Sequence, residues 1–97
     1  METQIQAIHF DATEQLIAFV QKKVDKLARK FNEIDNVQVN LRLIKPETAM
    51  NKECIISLMI PQKPDLVATK TADTFEEAVD LCLAALEPQL SRARDRK

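Results

Sequence analysis

A chain of 97 residues, 45% apolar and 30% charged with a formal net charge of −1, can form one domain with a modest hydrophobic core. No apolar run approaches the roughly 18 residues of a membrane span, and the N-terminus lacks the basic and apolar regions of a signal peptide, so we expect a cytoplasmic protein. Glycine is absent, which excludes a Walker loop, a Rossmann fingerprint and a glycine-rich nucleophile elbow.

The first predicted elements are a strand and an amphipathic helix. Residues 3 to 9 alternate between polar and apolar side chains, as a strand does. A capping box of Asp11 with Glu14, or alternatively an N-cap at Thr13, would start the helix near residue 14. Turn-forming residues at 32 to 36 would end it. Its apolar stripe at helical spacing consists of Leu16, Val20, Val24, Leu27, Phe31 and Ile34.

The opposite side of this helix is cationic. Between residues 16 and 34, five basic residues stand against Asp25 and Glu33, a local excess of three positive charges. Lysine-rich outer faces usually serve solvation, so this segment alone leaves solvation and contact with a polyanion as open alternatives. The basic residues are Lys22, Lys23, Lys26, Arg29 and Lys30.

Three strands are predicted next. Residues 37 to 43 alternate with period two, and a loop over 46 to 51 leads to a strand over 53 to 60. A two-proline turn over 61 to 65 introduces the last strand, over 66 to 72. In the middle strand of the three we expect one set facing inward and one outward, with two apolar residues exposed on the open side. The inward set is Cys54, Ile56, Leu58 and Ile60, and the outward set is Glu53, Ile55, Ser57 and Met59.

A second helix follows, capped by Asp73 or Thr74. Pro88 interrupts its pattern and predicts a kink or a break between residues 84 and 88, because proline has no backbone donor. Residues 91 to 97, SRARDRK, form a basic tail that we expect to fray. The apolar stripe of the second helix contains Phe75, Val79, Cys82, Leu86 and Leu90. We interpret Cys82, like Cys54, as a reduced core thiol.

The element order β-α-β-β-β-α predicts an α+β fold. A four-stranded, mostly antiparallel sheet with both helices packed on one face is the simplest way to bury both apolar stripes. Because the first two strands are joined through a helix, they would be parallel if they are neighbours. We treat residues 1 to 97 as a single domain.

Groups for catalysis or metal binding are scarce. His9 has no evident nucleophile beside it, so a surface histidine is a simpler interpretation than a general base. Glu76, Glu77 and Asp80 suit the start of a helix rather than an acid pair with a raised pKa. Metal-ligand spacings are missing. We therefore expect neither an enzyme nor a cofactor.

Three segments resemble the ribosome hibernation promoting factors, which include the ribosome-associated inhibitor A proteins and were formerly called sigma-54 modulation proteins. They are DATEQLIAFVQKKVDKLARKF at 11 to 31, VQVNLRL at 37 to 43 and DTFEEAVDLCLAALEPQL at 73 to 90. The resemblance implies a ribosome-binding domain over 1 to 97 that silences translation in stationary phase or stress. It also implies that the small subunit is the partner, with the messenger and transfer RNA sites blocked by contacts to ribosomal RNA phosphates.

The second helix departs from the family pattern. Family members usually show a basic run such as DKLERQL where this chain reads AALEPQL, and residues 73 to 87 contain five acids and no base. The tail could restore the missing contacts, or ribosome affinity could be reduced. The first helix matches the family's basic face with four lysines, and Arg29 extends it. The predicted rRNA-binding residues are Lys22, Lys23, Lys26, Arg29 and Lys30 with Arg92, Arg94, Arg96 and Lys97.

The chain stops after the second helix and so resembles the short form of the family, which lacks a dimerisation domain. We expect a monomer off the ribosome. The sequence leaves open whether it helps a separate ribosome modulation factor to make ribosome dimers or keeps single ribosomes idle. Two other functions stay open as well. One is a module for double-stranded RNA, and the other is a protein-interaction domain that uses the open sheet face around Ile55 and Met59.

Overall fold

The computed structural model describes residues 2–8, 10–44 and 50–95. Its elements follow the order β-α-β-β-β-α, which confirms the predicted α+β fold. His9 and most of the predicted loop over 46 to 51 lie outside the described residues. The elements are β1 (Glu2–Ile8), α1 (Glu14–Lys30), β2 (Asn36–Leu43), β3 (Lys52–Met59), β4 (Leu66–Ala72) and α2 (Phe75–Asp95).

The four strands form one sheet in the order β1-β2-β3-β4. β1 and β2 are parallel, because α1 carries the chain back to the edge where β1 began, and the other two pairs are antiparallel. One row across the sheet joins Ile5, Val39, Ile56 and Ala68. The last three are buried, so this row belongs to the face that carries the core. The prediction of a mostly antiparallel sheet is confirmed.

Both helices cover that same face. Val20 and Val24 of α1 and Val79 and Leu86 of α2 are fully buried, and they belong to one cluster with the inward residues of β2 and β3. The ring of Phe10 stacks on that of Phe75, a member of this cluster, with the two centroids 4.4 Å apart. A single shared core therefore fixes the two helices side by side.

Threonine hydroxyl groups cap the starts of both helices. Thr13 Oγ1 accepts a hydrogen bond from the Leu16 N–H at 3.1 Å, and Thr74 Oγ1 accepts one from the Glu77 N–H at 3.1 Å. Of the alternatives that the sequence left open, Thr13 and Thr74 are therefore the caps. Asp73 instead accepts a hydrogen bond from the Met50 N–H, at 2.8 Å from its Oδ1.

Pro88 does not break α2. The helix is continuous from Phe75 to Asp95, so the alternative of a break was wrong, and the first five residues of the predicted tail are helical. Leu86 and Leu90 are fully buried on either side of Pro88 and hold both halves of the helix on the core. Their burial outweighs the lost backbone bond, which costs about 3 kcal/mol in a helix interior. At the far end, Lys63 Nζ donates to the Ala93 carbonyl at 3.0 Å.

Two apolar residues on the open face of the sheet are less exposed than the sequence suggested. Ile55 and Met59 are half-buried, so the prediction that both are exposed was wrong. Ile55 lies between Asn40 and Thr69 on the neighbouring strands, and side chains so paired cover one another. Val67 of β4, which pairs with Ser57 on the same face, is 51% exposed.

The two cysteines are buried in the core as free thiols, as predicted. Cys82 Sγ lies 3.1 Å from the Cys54 carbonyl oxygen. The hydrogen bond to Cys82, together with burial, raises the pKa of the Cys54 thiol well above its ordinary value. A buried, protonated thiol of this kind is a packing group rather than a nucleophile.

Candidate nucleic-acid interface

Helices α1 and α2 lie side by side and run in the same direction. Lys23 Nζ is 3.3 Å from Asp80 Oδ1, and Lys30 Nζ is 3.4 Å from Glu87 Oε2. The second pair lies seven residues further along both helices than the first, a distance of two helical turns or about 10 Å. Two pairs in this order require parallel helices. The predicted cationic face of α1 therefore borders directly on the acidic side of α2.

This arrangement divides the predicted face of α1 into two rows. Lys22, Lys26 and Arg29 form the outer row, spaced i, i+4 and i+7 so that they follow one line along the helix. All three are exposed, and none forms an ion pair with another residue in the described ranges. Asp25, the nearest acid on α1, accepts a hydrogen bond from Gln21 at 2.9 Å. The outer row is thus available to an external anion.

The inner row, Lys23 and Lys30, faces α2. Each ammonium group has an acidic partner on α2 and also an aromatic ring close by. Lys23 Nζ lies 5.3 Å from the centroid of the Phe19 ring, and Lys30 Nζ lies 5.7 Å from that of Phe31. The Lys23 side chain is 39% exposed and that of Lys30 is 61% exposed. The inner row is therefore oriented by contacts within the protein, although solvent still reaches it.

An open groove of about 430 Å³ runs between the two helices. Its apolar lining comes from Leu27 and from two residues of α2. The charged lining comprises three lysines and two acids, so its formal charge is 3 − 2 = +1. Such a groove attracts anions far less than the five basic residues of α1 suggested from sequence. The lining residues are Lys23, Lys26, Leu27, Lys30, Asp80, Leu83, Ala84 and Glu87.

The C-terminal cations of α2 lie apart from this groove. Since Glu87 pairs with Lys30, the last residue of α1, residues 88–95 of α2 extend past the end of α1. Arg92 is exposed there and lines a shallow depression together with Leu66, Gln89 and Ala93, beside β4. The side chain of Arg94, and the whole of Arg96 and Lys97, lie outside the described part of the chain.

Three charged residues of this region were not among the predicted site residues. Asp80 and Glu87 contact the inner row, and their spacing of seven, equal to that of Lys23 and Lys30, was the available signal. Lys63 was the third. It lies in the turn before β4 and brings a positive charge to the C-terminal end of α2. No sequence pattern indicated Lys63, because only the folded sheet brings this turn to that helix end.

The described ranges hold no group of three or more His, Cys, Asp or Glu residues that could bind a metal ion. Among the helices in those ranges, none combines the length and the apolar character needed to span a membrane.

Together, fold and site define a small α+β domain with a line of exposed cations on the first of two helices. The family model described as "Sigma 54 modulation protein / S30EA ribosomal protein" matches residues 3–97. The chain belongs to this family, which is that of the hibernation promoting factors.

Two solved structures have the same fold. A ribosomal subunit interface protein from Coxiella burnetii superimposes with a TM-score of 0.86 at 23% sequence identity, over 99% of this chain and 100% of that one. The N-terminal domain of Protein Y from Thermus thermophilus gives a TM-score of 0.76 at 19% identity, over 95% of this chain and 98% of that one. At such identities the similarity concerns the fold.

Proposed function

We propose that this protein is a ribosome hibernation factor that binds the small ribosomal subunit and silences translation in stationary phase or stress. Its membership of the hibernation promoting factor family and the name of its Coxiella burnetii structural relative support the ribosome as partner. The outer row of Lys22, Lys26 and Arg29 is the observation that carries the proposed mode of binding, because these cations are exposed and make no ion pair in the described ranges.

The outer row suits the phosphates of folded RNA. Its three cations follow one line of about 10 Å along α1, and α1 is held rigidly by its buried face. Contacts to phosphates fix the position and orientation of a protein without reading bases, which is how structured RNA is commonly recognised. A rigid domain held in this way would block messenger and transfer RNA sterically. The proposal needs no catalytic group and no cofactor.

The basic C-terminal end of α2 is the second contact in this proposal. Lys63 and Arg92 lie at this end in the structure, and Arg94, Arg96 and Lys97 follow close to Arg92 in the sequence. We place this contact beyond the end of α1, where it could reach phosphates separate from those of the outer row. It would extend the binding surface along the molecule rather than replace the basic residues that α2 lacks opposite α1.

The test is co-sedimentation with purified small subunits across a salt series. The variant K22E/K26E/R29E reverses the outer row, and we expect a loss of affinity of at least about 100-fold at low salt, since three phosphate contacts are replaced by repulsion. The control K70E alters one exposed lysine of β4 and should bind nearly like the unaltered protein. Circular dichroism checks that both variants are folded.

Two results would contradict the proposal. One is a folded outer-row variant that still sediments with small subunits at unchanged affinity. The other is an unaltered protein that binds plain duplex RNA as tightly as small subunits, which would indicate the double-stranded RNA module instead. A binding constant that falls steeply with salt, by roughly 0.7 to 0.9 log units per log unit for each phosphate contact, is the expected behaviour.

A further inference from the structure

The two acids that face the inner row alter the surface on which the proposed function depends. Asp80 and Glu87 are 53% and 46% exposed in their side chains, so both carboxylates also project a negative charge into the solvent beside α1. Lys26 lines the same groove as both acids. A phosphate that approaches α1 from the side of α2 therefore meets two negative charges as well as the lysines.

We infer that Asp80 and Glu87 set the affinity of this chain for ribosomal RNA, by holding Lys23 and Lys30 in ion pairs and by repelling phosphates on that side of α1. The inference rests on the proposed function, and it names two residues that lower the affinity for the proposed partner. It follows that the outer row contributes most of the phosphate binding of α1 in the unaltered protein, although the sequence of α1 offers five cations.

The geometry makes this effect specific to two positions. α2 has further acids in its first turn, Glu76 and Glu77, but neither forms an ion pair with another residue in the described ranges. Asp80 and Glu87 are in contact because the two helices run parallel and share a two-turn spacing. The shared core fixes that register and so keeps the acids and lysines within reach of one another.

The strength of these pairs determines what their removal should do. Ion pairs that are partly exposed to solvent are weak, so phosphates can compete for the lysines at some loss of affinity. If both acids become neutral, these two ion pairs are lost and Lys23 and Lys30 can turn toward RNA. We expect the affinity to rise about 2-fold to 30-fold. The salt dependence should steepen by up to about 1.4 to 1.8 log units per log unit, from two added contacts.

The experiment compares D80N/E87Q with D65N/E77Q in the same salt series with small subunits. Both variants neutralise one aspartate and one glutamate, so their net charges change equally. Asp65 and Glu77 are exposed, and neither forms an ion pair in the described ranges. The inference expects the larger gain in affinity and the steeper salt dependence in D80N/E87Q. An equal gain in the two variants would overturn it, because the effect would then be one of net charge only.

A second pair of variants tests whether the gain in affinity depends on Lys23 and Lys30. K23Q/K30Q leaves Asp80 and Glu87 without these two partners, so we expect weaker binding than that of the unaltered protein. Added to D80N/E87Q, the same substitutions should remove most of the gain. A gain that persists without Lys23 and Lys30 would overturn the part of the inference that concerns the ion pairs.

These measurements also separate this inference from the proposed function. If the unaltered protein binds small subunits and D80N/E87Q binds no better than D65N/E77Q, the proposed function stands and the inference fails. If only D80N/E87Q binds, the inference is supported and the two acids have removed most of the binding. If neither the unaltered protein nor D80N/E87Q binds small subunits at low salt, both the proposed function and the inference fail.

Discussion

Helices α1 and α2 are alike on their buried sides and opposite on their exposed sides. Each is capped by a threonine and packs an apolar stripe into the same core. The exposed side of α1 is basic, whereas every charged residue in the first three turns of α2 is acidic. The apolar stripe thus decides where a helix lies, and the exposed charges decide what the helix can bind. Because these two properties occupy different positions, one can change without the other.

The largest effect on stability is expected from a substitution on the buried side of α2, where the two helices are alike. L86A removes most of a fully buried side chain of α2 from the core, and we expect a loss of about 2 to 5 kcal/mol in the free energy of unfolding. L81A, on the exposed side of the same helix at 41% exposure, should cost less than about 0.5 kcal/mol. Urea unfolding measures both. Equal losses would contradict the placement of α2 described here.

The next effect concerns the proline that distinguishes α2 from α1. P88A should raise the free energy of unfolding by about 1 to 2 kcal/mol, because it restores a backbone donor for the Ala84 carbonyl inside a continuous helix. P64A, in the turn before β4, is the control and should give no gain, since it only frees the unfolded chain. A destabilised P88A variant would mean that Pro88 contributes contacts that outweigh its missing N–H.

The smallest effect tests the equivalence of the two helix starts. T13A and T74A should each cost about 1 kcal/mol in the free energy of unfolding, because each removes one side-chain acceptor for a backbone N–H. T13S and T74S keep the hydroxyl group and should lose much less. Thermal unfolding followed by circular dichroism is sufficient. A cap whose alanine variant is as stable as its serine variant does not stabilise its helix.

Most of the fold was predictable because periodicity reflects burial directly. The stripe from Leu16 to Ile34 and the alternation in β2 each match the residues that are buried in the structure. The errors arose where a neighbour overrides the local pattern. Pro88 remains helical because Leu86 and Leu90 are buried around it, and Ile55 is half-buried because strands lie on both of its sides.

The candidate site was predictable only in part. The sequence indicated all five basic residues of α1, but it could not show which of them belong to the outer row and which to the inner row. That division depends on which side of α1 faces α2, and residues 57 positions apart in the chain decide it. Lys63 was missed for the same reason, since its contact with Ala93 joins a turn to a distant helix end.

The amino-acid sequence was sufficient to predict the element order, the buried stripes, the threonine candidates for the caps and the family resemblance, because each of these depends on residues close together along the chain. The packing of the two helices places Asp80 and Glu87 against Lys23 and Lys30 and leaves Lys22, Lys26 and Arg29 exposed, and no local pattern in the chain indicates this. Electrostatic interactions act over distances in space, and the distance between two helices is set by the core that they share.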